Sequence, residues 1–459
     1  MIKKGFKGMV CLVLLLLLSV FAFPGFSYSD DDGESSYTYA THGRGLVNVI
    51  DEATGAVIKS IDTDVDGNGV PGDVATGGTL AALTPNGKKL YISNAGANMN
   101  TVTVISTKKL AKTKDIIIGT GDIRPKHAIV SPNGKWVGVN QWRRNADGTL
   151  RVSFIDAKTD TVYQNIDLTL TNPNSNGNQS MHNAWTWDSK YFFTSSYDDD
   201  KVYVIKAPKK KGDPFTLVKT FDLSIPGYDN NPHYMAPSND GKEMWIVTEG
   251  PSGTLYNSAI PVVAPHIYVV DLENLTMSVP MLNGVLVNNE VIEGHHGNFS
   301  LDGKYFYFCN RGPGNNLTGI TVDVFDMETL QLVSHVVTSA GGDGHAYLSP
   351  NGKTVAITKY GTNMLTLLDQ SNNWAQTDLA VGTGIHIGHI TFTADGETGF
   401  VSNRVDGAVY QIDLSSASPV VTKKITIVMP DLTTPAGGGT GQVVNTYTNI
   451  FEIPGKLFE

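Results

Sequence analysis

Val130-Ser131-Pro132-Asn133-Gly134-Lys135 is one of seven near copies of a single phrase. The others are Leu83-Thr84-Pro85-Asn86-Gly87-Lys88, Thr186-Trp187-Asp188-Ser189-Lys190, Ser238-Asn239-Asp240-Gly241-Lys242, Ser300-Leu301-Asp302-Gly303-Lys304, Ser349-Pro350-Asn351-Gly352-Lys353 and Thr393-Ala394-Asp395-Gly396-Glu397. Their spacings are 47, 55, 52, 62, 49 and 44 residues. Asn-Gly and Asp-Gly supply the positive φ of a tight hairpin. Aromatic and β-branched runs flank them, as in Lys304-Tyr305-Phe306-Tyr307-Phe308, and a third run often ends in Asp, as in Ile267-Tyr268-Val269-Val270-Asp271. Four short strands repeated at such a period are the blades of a β-propeller.

The ends set the blade count. Residues 37–62 read as a second, third and fourth strand without a first: Tyr37–Gly43, Val47–Asp51 and Ala56–Lys59. Near the C-terminus stands an unpartnered β run, Val443-Val444-Asn445-Thr446-Tyr447-Thr448. Pairing the two closes the ring and removes free sheet edges. The expectation is therefore an all-β chain: one propeller over 36–459, of four-stranded antiparallel blades, eight in number. Seven blades with a loose terminal sheet is the alternative.

Composition narrows the function. Net charge is −10, which argues against a nucleic-acid partner. Two cysteines exclude a disulfide framework and any Cys-ligated zinc or iron–sulfur site, and no Cys-x-x-Cys-His is present to attach a c-type haem. The N-terminus reads as a secretory signal over 1–29: Lys3, Lys4 and Lys7, then the apolar run Met9–Phe23, then small residues before Asp30. Its removal takes three lysines and no acid, leaving −13, and Cys309 is then the lone cysteine. No later segment is long and apolar enough to span a membrane. The expected location is periplasmic or extracellular.

The chain resembles the YVTN-type β-propeller repeats and, with them, the cytochrome d1 haem-domain-like propellers. The marks are Leu90-Tyr91-Ile92-Ser93-Asn94, Phe308-Cys309-Asn310 and Phe400-Val401-Ser402-Asn403, together with the turn Ile50-Asp51-Glu52-Ala53-Thr54-Gly55. They cover about residues 36–452. An eight-blade count favours the d1-like branch. The resemblance implies fold strongly and function weakly, because one fold hosts many activities.

Histidines carry the chemistry. His127, His182, His296, His345 and His389 each stand four residues before a repeat Ser or Thr, and His233 stands five before Ser238. The first repeat has Leu80 there, while His295 and His386 lie beside the same strand starts. The first strand of a blade lines the central channel, so these imidazoles are expected to converge at one mouth. There they suit copper, iron or zinc, or a tetrapyrrole with its iron. The competing reading is a structural histidine inherited with each repeat. Similarity to d1-type domains implies axial or distal histidines at such positions. A second resemblance is to nitrous oxide reductase, whose propeller gathers histidines around a copper cluster, although this chain lacks a Cys-rich second copper centre. Arg311 and Arg404, with Trp142, Arg143 and Tyr360, follow second strands and suit carboxylates or anionic ligands.

A separate signal is the loop from Asp62 to Asp73, where Asp62, Asp64, Asp66, Asn68 and Asp73 surround Gly67 in the manner of a calcium loop. Calcium there would be structural. The acidic runs Asp30–Asp32 and Asp198–Asp200 read as solvated loops.

The leading expectation is an exported propeller holding a metal or haem-d1-like cofactor in its channel, for redox chemistry or cofactor handling. As an oxidoreductase it would need a separate redox partner protein as electron donor. The alternatives are a non-catalytic interaction or surface-scaffold propeller, and a lactonase-like hydrolase using calcium or channel acids such as Glu249 and Glu293.

Overall fold

The computed structural model describes residues 36–64, 74–78, 80–170, 182–226, 230–250, 266–278, 281–282, 293–312, 319–339, 341–427 and 440–444. The described strands, β1 to β33 in chain order, form eight antiparallel sheets. Seven are consecutive blades: β4–β7, β8–β11, β12–β15, β16–β20, β21–β24, β25–β28 and β29–β32, spanning residues Leu80 to Thr426. The eighth is split. Its three outer strands are β1 (Tyr37–His42), β2 (Leu46–Asp51) and β3 (Ala56–Asp62), and its inner strand is β33 (Thr440–Val444), in the order β3-β2-β1-β33. The ring is closed as the sequence predicts, with eight blades. The closing strand lies earlier than the expected Val443–Thr448 run, and residues 445–448 are outside the described residues.

Each repeat phrase forms the turn between inner and second strands. In the second blade Ser131 Oγ accepts the Trp136 amide at 3.0 Å, Gly134 N donates to the Ser131 carbonyl at 2.8 Å, and Gly134 takes φ 68°. A side chain is strained at that φ, and in the copy without glycine Ser189 takes it at φ 58°. The blades pack face to face through apolar clusters, such as Phe154, Trp185, Phe192 and Phe215 between the second and third blades. Polar staples join neighbours at the rim: Asp160 accepts from Tyr91 at 2.6 Å and pairs with Lys89 at 2.7 Å.

A buried ion pair marks the sixth blade. Asp343 and Lys359 face each other across the β25 (Asp343–Leu348) and β26 (Thr354–Lys359) strands, both side chains 0% exposed. Lys359 Nζ also donates to Thr338 Oγ1 and the Ser339 carbonyl, each at 2.7 Å.

One expectation changes. Asp199 and Asp200 are buried rather than solvated: Asp200 Oδ1 accepts the amides of Asn230 (3.0 Å) and Asn231 (2.7 Å), and so organises the approach to the next blade. In the acidic loop Asp62 Oδ1 accepts the Asp64 amide at 3.0 Å, and Lys112 donates to the Asp64 carbonyl. Asp66, Asn68 and Asp73 lie outside the described residues, as do the signal-like segment and Asp30–Asp32.

Candidate metal centre

The inner strands β8 (Pro125–Val130), β16 (Pro232–Pro237), β21 (Gly294–Phe299), β25 and β29 (Ile387–Phe392) share a local feature. Each gains one residue against its partner strand, between Pro125 and Ala128, Pro232 and Tyr234, Gly294 and Gly297, Asp343 and Ala346, and Ile387 and Ile390. Those bulges contain His127, His233, His295 with His296, His345 and His389. A bulge leaves one residue out of the ladder and re-aims its side chain. Second-strand side chains satisfy the amide it releases: Asn140 Oδ1 accepts from His127 N at 2.9 Å, Thr358 Oγ1 from His345 N at 3.2 Å, and Ser402 Oγ from His389 N at 3.0 Å. The inner strand β4 (Leu80–Leu83), which has no histidine, has a regular register.

The imidazoles meet as expected, in two tiers. His127, His182, His296, His345 and His389 line the axial cavity, of about 110 Å³, and Tyr234 takes the fourth blade's place among them. His233, one residue out of step in sequence, is not misplaced. It joins His295, which has the same offset, in a second tier, with ring centroids 4.6 Å apart. The rings stay close within the first tier, His182–His296 at 4.3 Å and His296–His345 at 3.8 Å, and between tiers, His295–His296 at 4.4 Å and His182–His233 at 5.3 Å. Two sets of three imidazoles, His182/His233/His296 and His295/His296/His345, each place one ligand atom per residue within 4.8 Å of the others, and His296 belongs to both. Glu249 forms a third such set with His233 and His295.

The hydrogen bonds distinguish ligand from donor. His295 Nδ1–H donates to the Gly344 carbonyl at 2.8 Å, which leaves Nε2 with its lone pair. His233 Nδ1 lies 2.8 Å from Glu249 Oε1. A carboxylate or carbonyl behind one ring nitrogen is the arrangement that orients a metal-ligating imidazole. The Nε2 atoms of His233 and His296 are buried with no hydrogen-bond partner among the described residues. His127 is different. Its Nδ1 accepts the Asn183 amide at 3.1 Å, so its proton sits on Nε2 and points a donor, not a lone pair, away from that contact.

Burial dominates the protonation states. It pushes His182, His295, His296 and His345 well below the ordinary imidazole range, helped by their mutual repulsion and, for His295 and His345, by Arg311. It holds His127 and His389 at about 3, and His42 and His386 at about 4. These eight imidazoles are therefore neutral at pH 7, the form that binds metal. Burial alone would raise the Glu249 carboxyl, but His233, Arg311 and Tyr197 overturn that and hold it at about 2.

The stability consequence has a definite sign. In the unfolded chain each histidine takes a proton near pH 6.5, while in the folded chain these do not until pH 3–4 or lower. Below pH 6.5 the unfolded state gains protons that the native state refuses. Each such histidine then removes about 1.4 kcal/mol of stability per pH unit until its folded value is reached. A steep acid unfolding is expected between pH 6.5 and about 4, followed by circular dichroism. A melting temperature flat across that window would refute the buried, neutral cluster.

Arg311 and Arg404 separate. Arg311 is half-buried and holds both acids: it donates to Glu249 Oε1 at 2.8 Å and to Glu293, while Tyr197 donates to Glu249. It thus braces the ligand side of the mouth rather than standing free for a guest. Arg404 is exposed at the mouth beyond His386, whose carbonyl accepts its amide at 3.0 Å. Tyr360 stacks on His386 at 4.4 Å, with its hydroxyl 3.0 Å from His345 Nδ1. Three groups carried too little signal in sequence. Lys126 is an ordinary-looking neighbour of His127, His42 belongs to the split blade where no repeat phrase marks it, and the Asp343–Lys359 pair requires knowledge of the register. His335 lies apart from the cluster, on an outer strand, with Nδ1 2.5 Å from Asp323.

Fold and site together define an eight-bladed β-propeller with a histidine-lined axial mouth. No family model matches the chain, and no curated protein matches it. Among solved structures it is similar to the dihydro-haem d1 dehydrogenase NirN, solved in complex with DHE, at 15% identity over 90% of this chain and 76% of that one (TM-score 0.63). It is also similar to the Dos1 propeller, at 12% identity over 81% and 91% of the two chains (TM-score 0.58), and to hydrazine synthase of Kuenenia stuttgartiensis, at 17% identity over 77% and 99% (TM-score 0.53). At these identities the likeness is one of fold. Among the described residues no helix is long and apolar enough to cross a membrane.

Proposed function

We infer that this protein is an exported propeller that holds a transition metal on His182, His233, His295, His296 and His345, for redox chemistry or cofactor handling. The observation that carries the reading is the shared His296, with a buried, unpartnered Nε2 between two three-imidazole sets. Neutral nitrogen donors favour copper, zinc or iron over calcium or magnesium. Five imidazoles exceed what one four-coordinate ion takes. A bound metal would supply Lewis acidity or electron transfer there. The protein's own burial would keep His182, His295, His296 and His345 neutral, and Glu249 and Gly344 would orient His233 and His295. Redox turnover there would draw on a separate partner protein as electron donor.

A haem-d1-like tetrapyrrole fits the described residues less well. Arg311, which could otherwise meet its carboxylates, is already held by two acids. If such a ring were bound, one of the imidazoles at the mouth would hold its iron. The hydrolase reading also weakens, because Glu249 and Glu293 are both engaged by Arg311.

Elemental analysis and absorption spectra of protein isolated from its host, and of chelator-stripped protein reloaded with copper, iron or zinc, test this reading. At least one equivalent of a transition metal is expected. An intense Soret band would favour the tetrapyrrole. Protein that is colourless, metal-free and unable to take up any of the three ions would sink the proposal and leave a structural histidine ring.

A further inference from the structure

Behind the first tier of imidazoles the axial cavity changes character. It follows the inner strands from His127, His182 and His296 to their far ends, where Pro132, Trp187 and Pro237 line it at or beside the repeat turns. At about 3.3 Å per residue, His127 to Pro132 is roughly 15 Å of wall. Between these ends the wall includes Ile129, Trp185, Ala236, Phe299 and Ala346. Among the described residues no Lys, Arg, Asp or Glu lines it. Its polar side chains are largely engaged with the protein. Trp185 Nε1 donates to the Ile129 carbonyl at 3.3 Å, Trp187 Nε1 to the Ser238 carbonyl at 2.6 Å and Asn298 Nδ2 to the Ala346 carbonyl at 3.2 Å, while the Tyr347 hydroxyl lies 2.6 Å from His389 Nδ1. The exception is Asn183 Oδ1, buried without a partner at the histidine end, where the two Asn183 N–H groups bond His127. The ring of imidazoles also has an apolar gap. Leu80, half-buried, takes the first blade's place in it and lines the same cavity.

The two sides of the cluster therefore differ. Glu249, Glu293 and Arg311 stand behind the second tier, whereas His182, His296 and His345 line an apolar bore. An ion entering such a wall loses its hydration without replacement. A water molecule there finds few of the two to four polar partners that hold it, and apolar cavities of similar size take up xenon. The volume is about 110 Å³.

We propose that this bore admits a small uncharged gas molecule, of two or three atoms, to the side of the cluster formed by His182, His296 and His345. Leu80 at the histidine end and Trp187 at the turn end set its width. That the gas meets a metal there rests on the metal reading, whereas the bore itself does not.

Chelator-stripped full-length protein is titrated with xenon and followed by xenon NMR. A saturable shift is expected, weakened severalfold in Leu80→Trp. Protein loaded with copper and reduced anaerobically with dithionite is then mixed with carbon monoxide, and uptake is followed by the C–O infrared band. Uptake is expected to be severalfold slower in Leu80→Trp and faster in Trp187→Ala. Circular dichroism establishes that each variant folds, and elemental analysis that it is loaded. Failure of copper to load counts against the metal reading, and the xenon titration then decides the bore alone. Absence of saturable xenon binding overturns the proposal. So does xenon binding that the folded Leu80→Trp variant leaves unchanged, or carbon monoxide uptake that is the same in both loaded variants as in the parent.

Discussion

Replacing His296 with alanine is expected to empty the metal centre. This imidazole belongs to both three-histidine sets, so its loss leaves each with two nitrogens. Loss of an outer partner of a ligand already costs roughly 10–100-fold in metal affinity, and loss of a shared ligand should cost at least as much. The matched control is His389→Ala. His389 lines the same cavity and bonds Tyr347 at 2.6 Å, but is only half-buried and belongs to neither set. Dialysis against a graded metal buffer, read by elemental analysis, should show His296→Ala nearly empty where His389→Ala stays loaded. Equal retention by both would mean that the three-imidazole sets are not where metal binds. Circular dichroism shows that each variant still folds.

The largest expected effect on stability lies away from the ligands. Lys359→Met leaves Asp343 charged, fully buried and without its cation. Breaking a buried pair on one side costs about 3–5 kcal/mol. The double variant Lys359→Met with Asp343→Leu removes both charges and should recover much of that loss, because two apolar side chains need no partner in a dry strand end. Thermal and urea unfolding of the three proteins decide it. A single variant as stable as the parent would show that the pair contributes nothing. Asp343 lies two residues before His345 on the same bulged strand, so the single variant should also loosen metal, and the double variant should restore it in part.

The fold was legible because its instructions are local. Each Asn-Gly or Asp-Gly turn states its own φ, and the missing first strand at residues 37–62 asks for a partner at the other end. The closing strand was placed a few residues late because Val443-Val444 is apolar enough to hide that pairing begins at Thr440. Convergence of the histidines followed from the repeat alone. Their division into two tiers did not, since a bulge has no residue signature. His233 read as an imperfection when it shares its offset with His295. Glu249 could be named as a channel acid, but its position behind His233 depends on a pairing between strand ends. The Asp198–Asp200 run misled because hydrophilic composition says nothing about backbone amides waiting to be capped, and Asp200 caps two.

His182, His233, the His295–His296 pair and His345 ride on four successive blades, and the ring is tied shut by a five-residue strand on the far side of the axis. The blades behave like the leaves of an iris, and the gaps between imidazoles are fixed by the angle each leaf keeps to the next. Any slackening, even where the chain's two ends meet, is shared around the circle and reaches the centre as a wider aperture. In the proposed metal centre the grip on an ion would thus be a property of the whole circumference, and distant rim substitutions would adjust its coordination sphere.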